Sequence, residues 1–589
     1  MSRDRVLPLL VFVIAAGVLP AVAPAFWVIL LSYVGIHALV AIGIVVLTGV
    51  GGLTSLGQAM FVGMSAYTTA VLTTNYGWSP WMTLPVGVLF TAMVAALIGL
   101  ITLSLSGHYL AVATIAWNVS FFYVAANSEL LGRYDGISGI PAPFIGSWSL
   151  AEPTRFYYLI LAVIFFAIIA TENLMGSRVG RAIRALKAGA AVSEAFGIRL
   201  ARSKRIAFIY AAVLAAVAGW LYAHMQRSVN PTPFDVSASI EYLLMAVVGG
   251  VGQIWGALAG AMIITLLEDH LQSVLPRLFG HQGNYEAIVF GIALVFMLQT
   301  LPDGLAGLWG RLFRRRAQEQ QHWSSEAGFG RVQRSEIHAP LIEVRNLRRS
   351  FGELVAVNSL NLTVKSGEII SMIGPNGAGK STAFNLMTGL DRPDSGAVLF
   401  GRQDITHAPP EKMAKLGIAR TFQHVRLVPD MTLVDNVAIG AHLRGNIGAL
   451  RAVLRLNRTE EGSYRAEALK ALERVGLRPN ADEQATSLPL GKQRIAEIAR
   501  ALCLDPVVLF LDEPAAGLRH QEKAHLAELL VALREEGLTI LLVEHDMDFV
   551  MSLCDRVVVI NFGSKLAEGR PDEIIRHEAV IEAYLGATA

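Results

Sequence analysis

The chain has 589 residues, too many for one compact core, so we expect two or more domains. Charged residues make up 16% of the chain and hydrophobic residues 53%, which indicates an integral membrane protein. The formal net charge of +2, with no block of like charge that suggests a nucleic-acid-binding arm, argues against nucleic acid as a partner. The two cysteines, Cys503 and Cys554, are interpreted as core residues of a reduced, cytoplasmic domain.

The first apolar segment has features of a cleavable secretory signal, because Arg3 and Arg5 precede an apolar run that ends in the sequence AVA at 21–23. Pro24 stands where a mature chain would begin, and another apolar run follows at once over 26–50. We therefore expect the segment to be retained as the first membrane helix.

Apolar runs of about 20 residues, enough to span a bilayer, recur through the first half. Six lie near 7–24, 27–49, 56–74, 82–105, 108–127 and 155–173, and three more near 206–227, 238–268 and 285–302. The run at 238–268 is interrupted by Gly249, Gly250 and Gly252, so it holds either two short helices or a re-entrant pair. The domain over 1–310 therefore has ten or eight membrane helices.

Positive charge sets the topology of these helices. The loop 176–205 holds many basic residues against the single acidic residue Glu194 and should be cytoplasmic, as should the basic N-terminus. Six crossings before this loop satisfy both placements. The basic residues of the loop are Arg178, Arg181, Arg184, Lys187, Arg199, Arg202, Lys204 and Arg205.

The second half has a different pattern. Residues 311–340 begin with a cluster of arginines, lack apolar periodicity and indicate a basic, tethering linker. From 341 to 589, short apolar runs at Glu368–Ile373, Val507–Leu511, Thr539–Val543 and Arg556–Ile560 alternate with helical stretches. This alternation predicts an α/β domain with a largely parallel sheet, following an all-α polytopic membrane domain.

A phosphate-binding loop directly follows the first of these runs and precedes a helical stretch. Its glycines let backbone N–H groups surround the phosphates, Lys380 would reach the β and γ phosphates, and Ser381 would ligate Mg²⁺. The residues predicted to bind ATP here are Gly374, Pro375, Asn376, Gly377, Ala378, Gly379, Lys380, Ser381 and Thr382.

Two carboxylates end the buried run before residue 514. Asp512 would hold the Mg²⁺ shell, and Glu513 would polarise the attacking water as general base. The sequence from 341 to 589 thus resembles the ABC ATPase family. The resemblance implies that Gln423 is the Q-loop glutamine that senses Mg²⁺, that His545 is the switch histidine, and that Phe351 stacks on adenine unless it is a core residue.

The same resemblance places the signature, which completes the ATP site of a partner, at Leu488, Pro489, Leu490, Gly491 and Lys492, ahead of a helix expected from about Ile495 to Cys503. The usual signature has Ser where Pro489 stands, and the D-loop commonly ends in Asp or Asn where Arg519 stands. Drift within a working signature would explain these departures. The alternative hypothesis is that the two ATP sites of the assembled transporter are unequal.

The first half resembles the permease subunits of branched-chain amino-acid importers, over roughly 30–310. The resemblance rests on the motifs at 55–59, 135–141, 180–185 and 249–252. In the cytoplasmic loop, Glu194, Ala195 and Gly197 fall in the coupling pattern of ABC importers, so the loop 176–205 is expected to lie in a groove on the ATPase. The alternative is a basic loop that only sets the membrane topology.

These resemblances imply a fused permease and ATPase of the cytoplasmic (inner) membrane, with the ATPase and N-terminus in the cytoplasm. The expected substrates are branched-chain or related hydrophobic amino acids, with ATP and Mg²⁺ as cofactors. The alternatives are an importer of urea or short amides and, from another class, an exporter or lipid flippase. Besides membrane lipid, the expected partners are a second permease and a second ATPase, or another copy of this chain, and an extracytoplasmic substrate-binding protein.

Overall fold

The computed structural model describes residues 3–105, 107–250, 252–279, 285–300, 304, 328–330 and 340–585. The chain forms two compact units. Unit 1 contains residues 1–176, 201–317 and 449–456, and unit 2 contains residues 177–200, 318–448 and 457–589. The stretch 177–200 of the helical half therefore folds with unit 2, and the stretch 449–456 of the α/β half folds with unit 1.

Unit 1 is built from long apolar helices. They are α1 (Arg3–Val22), α2 (Ala25–Ile44, continued by a π-helical turn over Val45–Val50), α3 (Gln58–Thr74), α4 (Pro80–Thr102), α5 (His108–Asn127), α6 (Pro153–Met175), α9 (Leu200–Gln226), α10 (Val236–Gly249), α11 (Ile254–Phe279) and α12 (Tyr285–Thr300). Of the described helices, six are long and apolar enough to cross a membrane, namely α2, α4, α5, α6, α9 and α11. The predicted all-α polytopic class is confirmed for this unit.

The segments between these helices add only small elements. Two-residue strands β1 (Ile137–Ser138) and β4 (Ser228–Val229) pair antiparallel, as do β2 (Phe144–Ile145) and β3 (Trp148–Ser149). The run predicted at 238–268 forms two separate helices, α10 and α11. Helix α11 continues beyond the apolar run, through polar residues after 268, and ends at Phe279.

Glycines let α10 and α11 pack at backbone contact. A Cβ atom added at Gly249 would lie 1.9 Å from the carbonyl oxygen of Gly256, and one at Gly260 would lie 1.9 Å from that of Met245. No side chain fits either place. In lipid, where apolar burial adds little between helices, such close packing is a main source of association.

Unit 2 contains two sheets. The four-stranded antiparallel sheet has the order β6-β5-β8-β9, and the six-stranded sheet has the order β10-β11-β12-β7-β13-β14, parallel except for its last pair. The strands are β5 (Ile342–Phe351), β6 (Leu354–Val364), β7 (Ile369–Ile373), β8 (Ser395–Phe400), β9 (Gln403–Asp404), β10 (Ile418–Arg420), β11 (Val508–Asp512), β12 (Thr539–Val543), β13 (Arg556–Asn561) and β14 (Ser564–Gly569). The predicted α/β class is confirmed.

Helices cover these sheets. They are α13 (Lys380–Met387), α14 (Pro410–Leu416), α15 (Leu433–Ala438), α17 (Arg458–Arg474), α18 (Leu490–Leu502), α19 (His520–Glu535), α20 (Met547–Leu553), α21 (Pro571–Ile575) and α22 (Glu578–Leu585). The stretch 177–200 adds α7 (Arg178–Ala185) and α8 (Ala190–Ala195), whereas α16 (Ala449–Val453) belongs to unit 1. Every residue of β7, β11 and β12 is buried, as expected for central parallel strands.

Most of the predicted linker, 311–340, lies outside the described residues, but residues 328–330 are described. Phe329 packs edge-on against Tyr464, with ring centroids 4.9 Å apart, and Arg444 donates to the carbonyl oxygens of Phe329 and Gly330 at 3.1 and 2.6 Å. Part of the linker is therefore attached to α17. Both cysteines are buried and free, in agreement with their interpretation as core residues.

Gly260→Ala should lower the thermal stability of unit 1, because overpacking a close helix contact costs about 1–3 kcal/mol. Gly291→Ala on α12 is the matched control, because nothing lies within 4 Å of the added Cβ. Thermal unfolding of the purified chain in one detergent compares the two variants. Equal midpoints for both would contradict the close packing of α10 on α11.

Candidate functional site

The loop between β7 and α13 has the backbone shape of an anion cradle. Gly374, Gly377 and Gly379 have φ of 153°, 80° and 97°, a region that side chains avoid. A Cβ atom at Gly379 would lie 2.1 Å from the carbonyl oxygen of Ala356, whereas one at Gly377 would meet nothing within 4 Å. The loop thus has free space on one side and tight packing on the other.

Lys380 begins the helix that follows this loop. Its ammonium group donates to the carbonyl oxygens of Gly374 and Pro375 at 2.7 and 2.9 Å and is held over the loop. Burial lowers the pKa of Lys380, while the Glu513 carboxylate opposes this shift. Ser381 and Thr382 follow it in the first turn of α13.

Asp512, the last residue of β11, is buried and half satisfied. Its Oδ2 atom lies 3.3 Å from the guanidinium of Arg420, whereas Oδ1 is buried without a hydrogen-bond partner in the described structure. Burial raises the pKa of Asp512, and the Arg420 charge acts against this shift. An orphaned carboxylate oxygen in this place fits a cation such as Mg²⁺.

Arg420 was assigned no role from the sequence, although it belongs to the motif that contains Gln423. Its guanidinium donates to Thr388 Oγ1 at 2.6 Å and lies between the rings of Phe384 and Phe422, 5.4 and 5.2 Å from their centroids. Burial lowers the pKa of Arg420 to about 10. The only signal in the sequence was a charge at the end of an apolar strand, and its partner follows 92 residues later.

Glu513 lies beside Gln423 and His545. Gln423 Nε2 donates to Glu513 Oε2 at 3.0 Å, and His545 Nδ1 lies 4.0 Å from the same oxygen. Glu513 has a φ of 47°, an uncommon value for a residue with a side chain, and its N–H donates to Val543 on the neighbouring strand. Such strain is found at functional sites when the surrounding structure imposes it.

A second buried carboxylate, Glu544, was missed from the sequence. Its side chain accepts the backbone N–H groups of Ala515 and His545 at 2.6 and 3.1 Å. It therefore connects the predicted D-loop to the predicted switch histidine. Burial raises the pKa of Glu544, with these hydrogen bonds opposing the shift. A buried charge directly before a motif histidine was the available clue.

The other predicted residues of the ATP site lie apart from this cluster. Phe351 at the end of β5 is 48% exposed, so it is not a core residue, and the guanidinium of Arg349 lies 4.8 Å from its ring centroid. The signature residues Leu488 to Lys492 precede and begin α18, which starts at Leu490 rather than Ile495. Pro489 lies directly before the helix, with φ −55° and ψ 149°. The backbone N–H of a residue at the start of a helix has no helical carbonyl to bond, so proline, which lacks this N–H, fits there. Leu490 and Lys492 are exposed, as completion of a partner's site requires.

The stretch 177–200 packs inside unit 2. Arg181 forms an ion pair with Glu461 at 2.7 Å and lies 4.9 Å from the ring centroid of Tyr464, both on α17. Arg178 donates to the carbonyl oxygens of His442, Gly445 and Ile447, and its N–H donates to Glu461. Glu461 thus binds both arginines, Arg181 through its guanidinium and Arg178 through its backbone N–H.

The predicted coupling residues lie at the second half of this stretch. Glu194 is half-buried, Ala195 is buried, and Gly197 has a φ of 76° with its Cβ position 2.4 Å from Leu443, so only glycine fits. Phe196 between them is buried, and the Arg500 guanidinium of α18 lies 4.9 Å from its ring centroid. Burial raises the pKa of Glu194, assisted by Glu411.

Arg420→Met should raise the pKa of Asp512 further, because the compensating positive charge is removed. If ionised Asp512 is needed, the acid limb of the pH profile of ATP hydrolysis should move towards neutral pH. Steady-state hydrolysis measured across pH tests this, with Arg345→Met, an exposed arginine of β5, as control. Arg420→Lys keeps the charge and should shift the limb less. An unchanged acid limb in a folded Arg420→Met protein would contradict the pairing.

Comparison with known proteins agrees with this geometry. The model for the permease component of branched-chain amino acid transport systems matches residues 7–298, the ABC transporter model matches 357–516, and the model for branched-chain amino acid ATP-binding cassette transporters matches 564–589.

The similar proteins include the high-affinity branched-chain amino acid transport ATP-binding proteins LivG of Escherichia coli K12 and BraF of Pseudomonas aeruginosa. Each is 44% identical over 250 residues, which cover 42% of this chain and 98% of that protein. A probable LivG of Archaeoglobus fulgidus is 36% identical over 247 residues, covering 42% of this chain and 96% of that protein. The chain therefore belongs to the branched-chain amino acid group of the ABC transporter family, as a membrane permease domain and a cytoplasmic ATP-hydrolysing cassette in one polypeptide.

Proposed function

We propose that this chain is the fused permease and ATPase subunit of an importer for branched-chain or related hydrophobic amino acids in the cytoplasmic membrane. The observation that carries the proposal is the union, in one chain, of a permease domain and a cassette that both match branched-chain systems. The N-terminus and the cassette lie in the cytoplasm. Transport proceeds by alternating access driven by ATP.

Hydrolysis is assigned to the cluster at the carboxyl ends of β7, β11 and β12. Lys380 and the loop from Gly374 to Thr382 bind the phosphates, and Phe351 stacks on the adenine. Ser381, Gln423 and Asp512 would hold Mg²⁺, which supplies charge neutralisation at the phosphate oxygens when bound. The Asp512 oxygen without a partner supports this assignment.

Glu513 is assigned as the general base that accepts a proton from the attacking water. Gln423 fixes one of its carboxylate oxygens, and the imposed φ of 47° fixes its backbone. His545 is 60% exposed at its side chain and lies beside Glu513, so it is free to contact the γ-phosphate.

The assembly needs further subunits. We propose a second permease and a second ATPase, or a second copy of this chain, together with an extracytoplasmic substrate-binding protein. The signature residues Leu488 to Lys492, of which Pro489, Leu490 and Lys492 are exposed, would complete the partner's ATP site. Whether Pro489 and Arg519 make the two sites unequal stays a prediction.

Uptake into proteoliposomes that contain the full assembly and its binding protein tests the proposal. Leucine, isoleucine or valine should accumulate with ATP, and Glu513→Gln should reduce hydrolysis by about 10²–10⁴-fold while ATP still binds. Glu528→Gln, an exposed glutamate on α19, is the matched control and should retain activity. Uptake of urea or short amides alone would favour that alternative, and outward movement would favour an exporter.

Coupling is assigned to the stretch 177–200, which is continuous in the chain with α6 and α9. Its buried anchor is the pair Arg181–Glu461, whose side chains are 8% and 19% exposed. A buried pair loses about 3–5 kcal/mol when one partner is removed, far more than an exposed pair. We therefore assign this pair as the contact through which movement of the cassette would reach α6 and α9.

Arg181→Met should lower uptake per ATP hydrolysed several-fold and leave ATP affinity unchanged. Arg199→Gln is the matched control on the same loop, because Arg199 is 57% exposed and lies 3.6 Å from Glu411. Adding Glu461→Gln to Arg181→Met should cost less than the sum of the two single changes, since the single changes leave a buried charge unpaired. An unchanged coupling ratio in Arg181→Met would mean that the loop only sets topology.

A further inference from the structure

A short segment of the cassette sequence, residues 449–456, folds with the membrane unit. It consists of α16 and the turn that follows it. Asn173, near the end of the membrane helix α6, donates from Nδ2 to the carbonyl oxygen of Val453 at 3.0 Å. Ala452 is 1% exposed and marks the packed side of the segment. The segment is thus fixed at the end of a membrane-spanning helix, two residues before that helix terminates at Met175.

The opposite side of the segment is apolar and uncovered. Leu450, Leu454 and Leu456 are 74%, 60% and 65% exposed. Leu450 and Leu454, four residues apart, share one side of the turn, away from Ala452. Three large exposed leucines in seven residues are unfavourable in water, so this side requires an apolar cover.

The charges of the segment are all positive. Arg451 is exposed and Arg455 half-buried, and neither has an acidic partner among the described residues. The sequence contains no Asp or Glu between Asp435 and Glu460. A partner that covers the leucines must therefore also accept cations at its surface.

Arg455 lies in the turn that ends the segment. The backbone N–H of Leu456 donates to the carbonyl oxygen of Arg451, and the N–H of Arg455 donates to the carbonyl oxygen of Ala452. This is the hydrogen-bond pattern of a Schellman turn. Arg455 occupies the left-handed position of this turn, with a φ of 57°, where glycine is the usual residue.

We propose that residues 449–456 are an interfacial membrane anchor, in which Leu450, Leu454 and Leu456 enter the cytoplasmic leaflet and Arg451 and Arg455 bind the phosphates of anionic phospholipids. Interfacial segments of this composition bury their apolar side about 5–10 Å deep, at the boundary of headgroups and acyl chains. The hydrogen bond from Asn173 holds the segment at the carboxyl end of the membrane helix α6, which supports lipid rather than a soluble partner. The anchor depends on the membrane location of the family and not on the transported solute.

A cysteine label tests the depth of the segment. The native cysteines are both buried, so Leu454→Cys in the full assembly in nanodiscs gives one accessible site for an environment-sensitive fluorophore. Lipids brominated on the upper acyl chain should quench it, and aqueous iodide should not. Ile575→Cys, at a 56% exposed position of α21, is the matched control and should show the reverse. The hydrolysis rate of each labelled protein checks its fold.

The charge of the lipid tests the arginines. Brominated phosphatidylglycerol should quench the label at 454 several-fold more than brominated phosphatidylcholine at the same mole fraction, because each arginine attracts anionic headgroups. Arg451→Gln with Arg455→Gln should abolish this difference. Quenching by iodide as strong as at 575 would overturn the proposal, and so would a label reached by neither quencher, which would show that another subunit covers the leucines. Equal quenching by the two lipids would overturn the role of the arginines.

Discussion

The buried ion pair between Glu497 and Arg500 connects the parts of the cassette that must move together. Both side chains lie on α18, the helix that begins with the signature residues, and their closest atoms are 2.8 Å apart. Glu497 also accepts the N–H of Arg426, which follows Gln423 in the same loop, and Arg500 lies against Phe196 of the stretch 177–200. A buried charge is tolerated only with such a set of partners, so the three segments are held in one arrangement.

This pair lies on a continuous chain of contacts from Glu513 to Phe196 of the stretch 177–200. Gln423 contacts Glu513 at one end of its loop, and Arg426 contacts Glu497 at the other. A change in the position of Gln423 on nucleotide binding would therefore act on α18 and on Phe196, without a separate messenger. The Arg181–Glu461 pair provides a second attachment of the same stretch, on α17, so the stretch follows the helical part of the cassette at two points.

Local motifs were predictable because their chemistry is contained in a few consecutive residues. The glycines before Lys380 and the carboxylates at 512 and 513 follow apolar strands, and parallel strands bring their carboxyl ends to one edge. Arg420 and Glu544 were missed because their roles depend on partners that only the strand order brings close. The start of α18 at Leu490 was misjudged because the signature was treated as a loop, although Pro489 suits the residue before a helix.

The stretch 177–200 folds with unit 2 and the stretch 449–456 folds with unit 1 because of contacts between residues far apart in the chain. The spacing of apolar residues in the sequence does not predict such contacts. Residues 177–200 are basic and short, which predicted their side of the membrane, but their partners Glu461, Tyr464 and Arg500 lie far away in the chain.

Fusion changes the energetic requirement for this docking. Tyr464 of α17 contacts Arg181 of the loop and Phe329 of the linker, each 4.9 Å from its ring centroid. The linker, which joins the domains covalently, and the loop, which binds without a covalent bond, therefore contact the same helix. Because the linker joins the two domains, docking of the loop is an intramolecular event with a high effective concentration. Contacts that would be too weak to recruit a separate ATPase are then sufficient. In a fused subunit, the buried pairs of the loop are therefore available for transmitting force rather than for recruiting the partner.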